Sequence, residues 1–234
     1  MNVSQSNPNL ARLTEAAKKL APLLDQIAFV GGCVTGLLLT DPAAAPARPT
    51  LDVDAIIAVA SYAEFTELET RMRDLGFRHP HADGNPICRW ASGELILDLM
   101  PTDSSILGFS NAWYAAGLEN AQRIRIGELE IQLITAPYFL ATKLEALHGR
   151  GKDDFRASHD LEDIVTVIDG RAELAEEVHA SRADLQHYLS LEFGALILNR
   201  DFLDALPGHL LPDAASQQRL GLVVKRMQQL IVKG

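Results

Sequence analysis

Ile27-Ala28-Phe29-Val30-Gly31-Gly32, followed after a Pro- and Ala-rich stretch by Leu51-Asp52-Val53-Asp54-Ala55-Ile56-Ile57, decides the fold. The first run is short, apolar and closed by two glycines, which predicts a buried strand entering a tight turn. The second predicts a strand over 51–58. Its alternation puts Asp52 and Asp54 on one face and Leu51, Val53 and Ala55 on the other.

Outward from this pair, Leu10, Leu13, Ala17, Leu20 and Leu24 fall near helical spacing and predict an amphipathic helix over 8–24. Residues 33–39 predict a helix stopped by Asp41-Pro42, and 41–50 a loop. A helix is expected over 61–75, closed by Gly76. Ser92-Gly93-Glu94 and Gly127-Glu128 each separate two β-type runs and predict hairpins. From Pro137 onward the pattern is helical, with interruptions near 149–158, at Gly170 and around Pro207-Gly208. The fold class expected is α/β, a mixed twisted sheet with helices over 1–135, followed by a helical C-terminal region over 136–234 packing on that core.

Composition narrows the class. The 234 residues are 47% hydrophobic, enough for a sizeable core. No apolar run approaches the about 20 residues of a membrane span, and the polar N-terminus has no signal-peptide core, so a cytoplasmic protein is expected. Cys33 and Cys88 are too few for a disulfide framework and lack zinc-site spacing. A net charge of −10 argues against sequence-blind coating of nucleic acid; it leaves room for a local basic segment.

Two carboxylates at i and i+2 on a strand share one space and repel unless a cation joins them. Hard divalent cations, Mg²⁺ or Mn²⁺, take such oxygen ligands, and paired ions stabilise the attacking and leaving oxygens of phosphoryl transfer. Asp98, a charged residue within the apolar strand 94–100, supplies a third carboxylate for metal or for the acceptor's proton. Gly31 and Gly32 let backbone approach a triphosphate, with the following helix N-terminus facing its oxygens. Each piece has a plainer alternative. The glycines make a turn, Asp52 caps a turn after Pro49-Thr50, Asp54 is solvated on an edge strand, and Asp98 pairs with Arg89 across its hairpin.

A second cluster spans 135–168. Phe139, Leu140, Leu144 and Leu147 make an apolar helix face with Lys143 at its margin, and Arg150, Lys152 and Arg156 form a basic segment. Leu161, Ile164, Val165 and Ile168 bury the next helix and bring Asp160 and Asp163 together at i, i+3, where the alternative is a capping box with Asp160 as N-cap. For Lys143 and the arginines the alternative is a solvated face that satisfies the helix dipole.

FVGGCVTGLLL, TLDVDAII, LILDLMP and ATKLEALHGRGKDD…SHDLEDI, over about residues 26–170, resemble the AbiEii-type nucleotidyltransferases of the polymerase-β-like superfamily, toxin halves of bacterial toxin–antitoxin systems. The Gly-Gly/Asp-x-Asp pair belongs to the whole superfamily; the Lys-x-x-Ala helix followed by an Asp-rich helix is the more discriminating part. The resemblance implies that Asp52 and Asp54 bind metal, that Lys143 contacts the nucleotide and that Asp160 completes the site. Cys33 stands where that family usually carries Ser or Thr, with Thr35 nearby to replace the hydroxyl, and the 33–51 loop is longer than the family norm. The function expected is transfer of a nucleoside monophosphate from an NTP to an acceptor hydroxyl. The acceptor would be tRNA or another RNA met by Arg150, Lys152 and Arg156, or a small molecule such as an aminoglycoside, and a cognate antitoxin is an expected partner. A non-catalytic nucleotide- or protein-binding module of the same fold is the reading from another class.

Elsewhere, His79-Pro80-His81 with Asp83 is read as an exposed turn in preference to a metal site, and His148 and His159 as solvated loop residues. Trp113 and Tyr114 are expected to pack in the core, with base stacking as the alternative. Leu222, Val223, Met227, Leu230 and Ile231 are read as a packing face or the seam of a homodimer.

Overall fold

Backbone pairing follows the sequence alternation closely. The computed structural model describes residues 7–80, 84–150 and 154–231, the side chain of Arg150 excepted. Six strands, β1 (Ile27–Val30), β2 (Asp52–Ile57), β3 (Arg89–Ser92), β4 (Leu95–Pro101), β5 (Gln122–Ile126) and β6 (Leu129–Leu133), form one mixed sheet in the order β3-β4-β2-β1-β6-β5. β1 runs antiparallel to β2 and parallel to β6, and β2 runs parallel to β4. Both hairpins form, β3–β4 and β5–β6, with Gly93 and Gly127 in their turns at positive φ.

β1 lies between two strands and all four of its residues are buried, which is why it reads as a continuous apolar run instead of alternating. β2 is also interior, so Asp54 does not sit on an edge strand. Leu51, expected to open the strand on the face of Val53 and Ala55, precedes it and is 74% exposed.

The chain divides into two compact units. The first comprises Met1–Val34 and Pro49–Thr135, and the second Thr35–Arg48 and Ala136–Gly234. In the first, the N-terminal helix α1 (Pro8–Lys19) is capped by Asn7, whose side chain accepts from the backbone N–H of Asn9 and Leu10. It stops earlier than expected, because Pro22 cannot donate within a continuing helix, and a 3₁₀ turn covers Ala21–Leu23. Helix α2 (Tyr62–Asp74) begins at the Ser61 cap. The helix expected over 33–39 is a 3₁₀ segment, Gly32–Leu37. Two glycines, a Val and a Thr within six residues give an α-helix little intrinsic support.

Two short helices, α3 (Ser104–Leu107) and α4 (Tyr114–Glu119), follow β4. Trp113 and Tyr114 are half-buried instead of core residues, and the Tyr114 hydroxyl meets Met100 Sδ at 3.2 Å.

The second unit contains α5 (Ala136–Arg150), α6 (His159–Gly170), α7 (Leu174–His179), α8 (Ala183–Leu198), α9 (Arg200–Ala205), α10 (Ala214–Gln218) and α11 (Leu220–Gln229). Val223, Met227 and Leu230 are fully buried, and α11 packs on α6 and α8. The Pro/Ala-rich loop belongs to this unit and is pinned to the end of α6. Thr40 and Asp41 N–H donate to the Gly170 carbonyl, and Arg171 Nη1 donates to the Leu38 carbonyl at 2.6 Å. Arg219 bridges Asp41 and Asp169, both at 2.7 Å, and holds the Asp41 carboxyl below its ordinary range.

Candidate active site

Register builds one row across the sheet. Val30 on β1 opposes Asp54 on β2, Asp54 opposes Asp98 on β4, and Asp98 opposes Arg89 on β3. Opposed residues share a face, and Asp52, two residues from Asp54, shares it too. Three carboxylates and one guanidinium therefore stand together at the end of β1, where the chain turns through Gly31.

Gly31 adopts φ +71°, a conformation that L side chains rarely take. A Cβ built there would lie 2.5 Å from Asp54 Cγ, with a carboxylate oxygen nearer still. The glycine is thus required twice, by the backbone and by the closeness of Asp54. The turn and the Asp-x-Asp strand, about 20 residues apart in sequence, form one constellation within the first unit.

Arg89 joins the carboxylates. Its Nε donates to Asp98 Oδ1 at 2.8 Å, and its Nη2 donates to Asp98 Oδ2 at 2.7 Å and to Asp52 Oδ2 at 2.8 Å. The Asp98 pairing is legible as an alternative from the hairpin register. The reach to Asp52 is not, since it crosses to a strand 37 residues away. Asp98 is 8% exposed, a degree of burial at which an uncompensated carboxylate would be costly. Hydrogen bonds from Asp98, with its charge and that of Asp52 alongside, raise the Arg89 pKa above its ordinary value. Burial, with the Asp98 charge second, pushes the neighbouring Cys88 thiol up to about 11.

The donor set has the chemistry a divalent cation needs: hard oxygens on one sheet face. Its arrangement does not fit one as it stands. Among the described residues, no three His, Cys, Asp or Glu side chains converge to hold a metal ion, and Arg89 takes both oxygens of Asp98 and one of Asp52.

The other expected nucleotide-binding residues have defined surroundings. Cys33 is buried, and its Sγ lies 3.3 Å from the Val30 carbonyl, to which the thiol donates. Thr35 is fully buried, with no hydrogen-bond partner for its hydroxyl among the described residues. Lys143 and Asp160 lie in the second unit, where the Lys143 ammonium donates to Asp160 Oδ1 at 3.0 Å and meets Asp163 Oδ2 at 2.6 Å. Asp163, 1% exposed, also receives a two-pronged bond from Arg48 at 3.1 and 3.2 Å. Asp160 is not the N-cap of α6. Ser158 is, its hydroxyl accepting from Leu161 N–H.

Among the expected acceptor contacts, Arg156 is exposed in a turn set by Asp154, while Lys152 and the Arg150 side chain lie outside the described residues. So do His81 and Asp83. His79 is no free loop residue. It stacks on Trp90 at 3.8 Å and its Nδ1 lies 2.9 Å from the carbonyl of Arg89, the residue that organises the carboxylates. His148 sits within α5 and pairs with Glu192 at 2.6 Å, and His159 opens α6 beside Glu162 at 3.1 Å.

No family model matches the chain, and no curated protein matches it. Among solved structures it is similar to an antigenic nucleotidyltransferase-like protein from Paracoccidioides brasiliensis, at 23% identity and a TM-score of 0.50, over 87% of this chain and 94% of that one. Among the described residues, no helix is long and apolar enough to cross a membrane. The chain has an α/β, nucleotidyltransferase-like fold, a mixed six-stranded sheet with helices and a helical C-terminal part.

Proposed function

We propose that the chain is a nucleotidyltransferase that moves a nucleoside monophosphate from an NTP to an acceptor hydroxyl, with Mg²⁺ or Mn²⁺ as cofactor. The observation that carries this reading is the packing of the Gly31 turn directly against Asp54, in the same row as Asp98 and beside Asp52. A turn whose backbone comes this close to a carboxylate pair leaves no side chain between them, which suits a site where phosphate and acid groups meet. Asp52 and Asp54 are the ligands proposed for the cation, which supplies charge neutralisation for a transferring phosphoryl group. Asp98 stands next to them as a further ligand or as the base for the acceptor's proton.

The resemblance to AbiEii-type toxins favours an RNA acceptor, tRNA among them, and a cognate antitoxin as partner. A small cationic acceptor suits the net charge of −10 instead. One observation favours the second reading, a non-catalytic module: Arg89 already neutralises two of the three carboxylates.

Calorimetry with Mg²⁺ and each NTP, on the native chain and on Asp52→Ala/Asp54→Ala, separates the readings. The enzyme reading expects metal-dependent NTP binding that the double variant loses. Binding that survives the double substitution contradicts it.

A further inference from the structure

We infer that Trp113 and Tyr114 form the surface on which the nucleobase of the incoming NTP stacks, beside the Asp54–Asp98 row. The inference rests on the nucleotide part of the function proposed above.

The placement follows from the strand that carries Asp98. Met100 lies two residues further along β4 and therefore shares the face of Asp98. The Tyr114 hydroxyl donates to Met100 Sδ at 3.2 Å, which sets that side chain over the same face of the sheet. Two anchors hold its surroundings, all within the first unit. The Ser110 hydroxyl donates to the carbonyls of Thr102 at 3.0 Å and Pro101 at 3.3 Å, and α4 lies against β2 with Gly117 as its buried residue. The segment 109–114 is unusual within the chain for what it leaves uncovered. Phe109 is 46% exposed, and Trp113 and Tyr114 are half-buried, whereas every other phenylalanine is buried and so is Trp90. Half-exposed rings are what a planar base stacks on, and such stacking accepts any base. Distance selects the NTP over the acceptor. Two residues of strand separate Met100 from Asp98 by about 7 Å, roughly the span of the ribose between a base and its α-phosphate. With the triphosphate at Gly31 and Asp54, in the row of Asp98, the base of the same nucleotide reaches the row of Met100.

Tryptophan fluorescence and calorimetry on the full-length chain test this, with Mg²⁺ present throughout. The probes are each NTP, inorganic tripolyphosphate and a short single-stranded RNA. Native chain, Trp113→Leu, Tyr114→Leu and Tyr114→Phe are compared, each checked for folding by thermal unfolding. NTPs should quench the native emission, and tripolyphosphate should not. The quenching should vanish in Trp113→Leu, because Trp90, the remaining tryptophan, is 2% exposed. Tyr114→Leu should weaken NTP binding at least about fivefold and leave tripolyphosphate binding unchanged, and Tyr114→Phe, which keeps the ring, should recover most of the affinity. If Tyr114→Leu does not fold, quenching of the native chain and its loss in Trp113→Leu carry the test.

NTP binding seen by calorimetry without quenching of Trp113 overturns the stacking and leaves the proposed transferase standing. Equal weakening of NTP and tripolyphosphate binding by Tyr114→Leu overturns it by making the ring a support of the fold. Quenching by RNA alone overturns it by giving the surface to the acceptor, and absence of NTP binding from the native chain removes the stacking and the proposed function together.

Discussion

Gly31→Ala should destabilise the chain well beyond the ordinary penalty for alanine at a left-handed position. The size of the effect follows from two separable costs. Forcing an L residue to φ +71° costs about 1–2 kcal/mol. The new methyl would then lie 2.5 Å from Asp54 Cγ and 2.8 Å from its Cβ, so the strand residue itself must move, adding about 1–3 kcal/mol of overpacking. The expected total is about 2–5 kcal/mol.

Gly127 provides the control. It has φ +60°, and nothing lies within 4 Å of the place a methyl would take, so Gly127→Ala should cost only the backbone part, about 1–2 kcal/mol. Urea unfolding of the native chain and the two variants, read by circular dichroism, measures both. Equal losses in the two variants would refute the reasoning, because the Asp54 contact would then contribute nothing. A second readout follows from the site. Displacing Asp54 should abolish metal-dependent NTP binding in Gly31→Ala and leave it intact in Gly127→Ala.

Three further outcomes are expected. Asp163→Ala should cost about 3–5 kcal/mol in urea unfolding, since it removes the buried carboxylate that Lys143 and Arg48 share and leaves them the more exposed Asp160 and Glu162, whereas Asp160→Ala, which leaves Lys143 its buried Asp163 partner, should cost about 1–2 kcal/mol. Equal losses would contradict that ranking. Cys88 should resist a thiol reagent at pH 8 in the native chain, because a thiol pushed up to about 11 holds on the order of one thiolate per thousand there; rapid stoichiometric labelling, located by mass spectrometry, would contradict this. His79→Ala should weaken Mn²⁺ or NTP binding by no more than about tenfold while lowering the unfolding temperature, since the imidazole braces the Arg89 carbonyl and the Trp90 ring without touching a carboxylate of the site. Complete loss of binding in a folded His79→Ala would contradict that.

Much of the sheet is legible in the sequence because strand signals are local. The apolar run before Gly31, the alternation around Asp52 and Asp54, and the turns at Gly93 and Gly127 each fix an element within a few residues. The row Asp54–Asp98 follows once those strands pair. What escapes a sequence reading depends on distance along the chain. Arg89 reaches Asp52 over 37 residues and Arg48 reaches Asp163 over 115, and no periodicity encodes either.

The loop over 35–48 reads in sequence as an insertion in the first half of the chain. Its partners are the Gly170 carbonyl, Arg171 and Asp163, which place it with the C-terminal helices. Lys143 reads as poised for phosphate because a lysine at the margin of an apolar face usually reaches outward. Instead it is buried against two carboxylates, one of them almost inaccessible to solvent.

The most direct test of the central claim is transfer itself. Purified native chain and Asp54→Asn are incubated with Mg²⁺, each α-phosphate-labelled NTP in turn, total RNA and an aminoglycoside panel, and both product label and pyrophosphate are measured. The account predicts pyrophosphate release with label passing to an acceptor in the native reaction, and neither in Asp54→Asn. Absence of transfer to every acceptor, or equal transfer by Asp54→Asn, would contradict it.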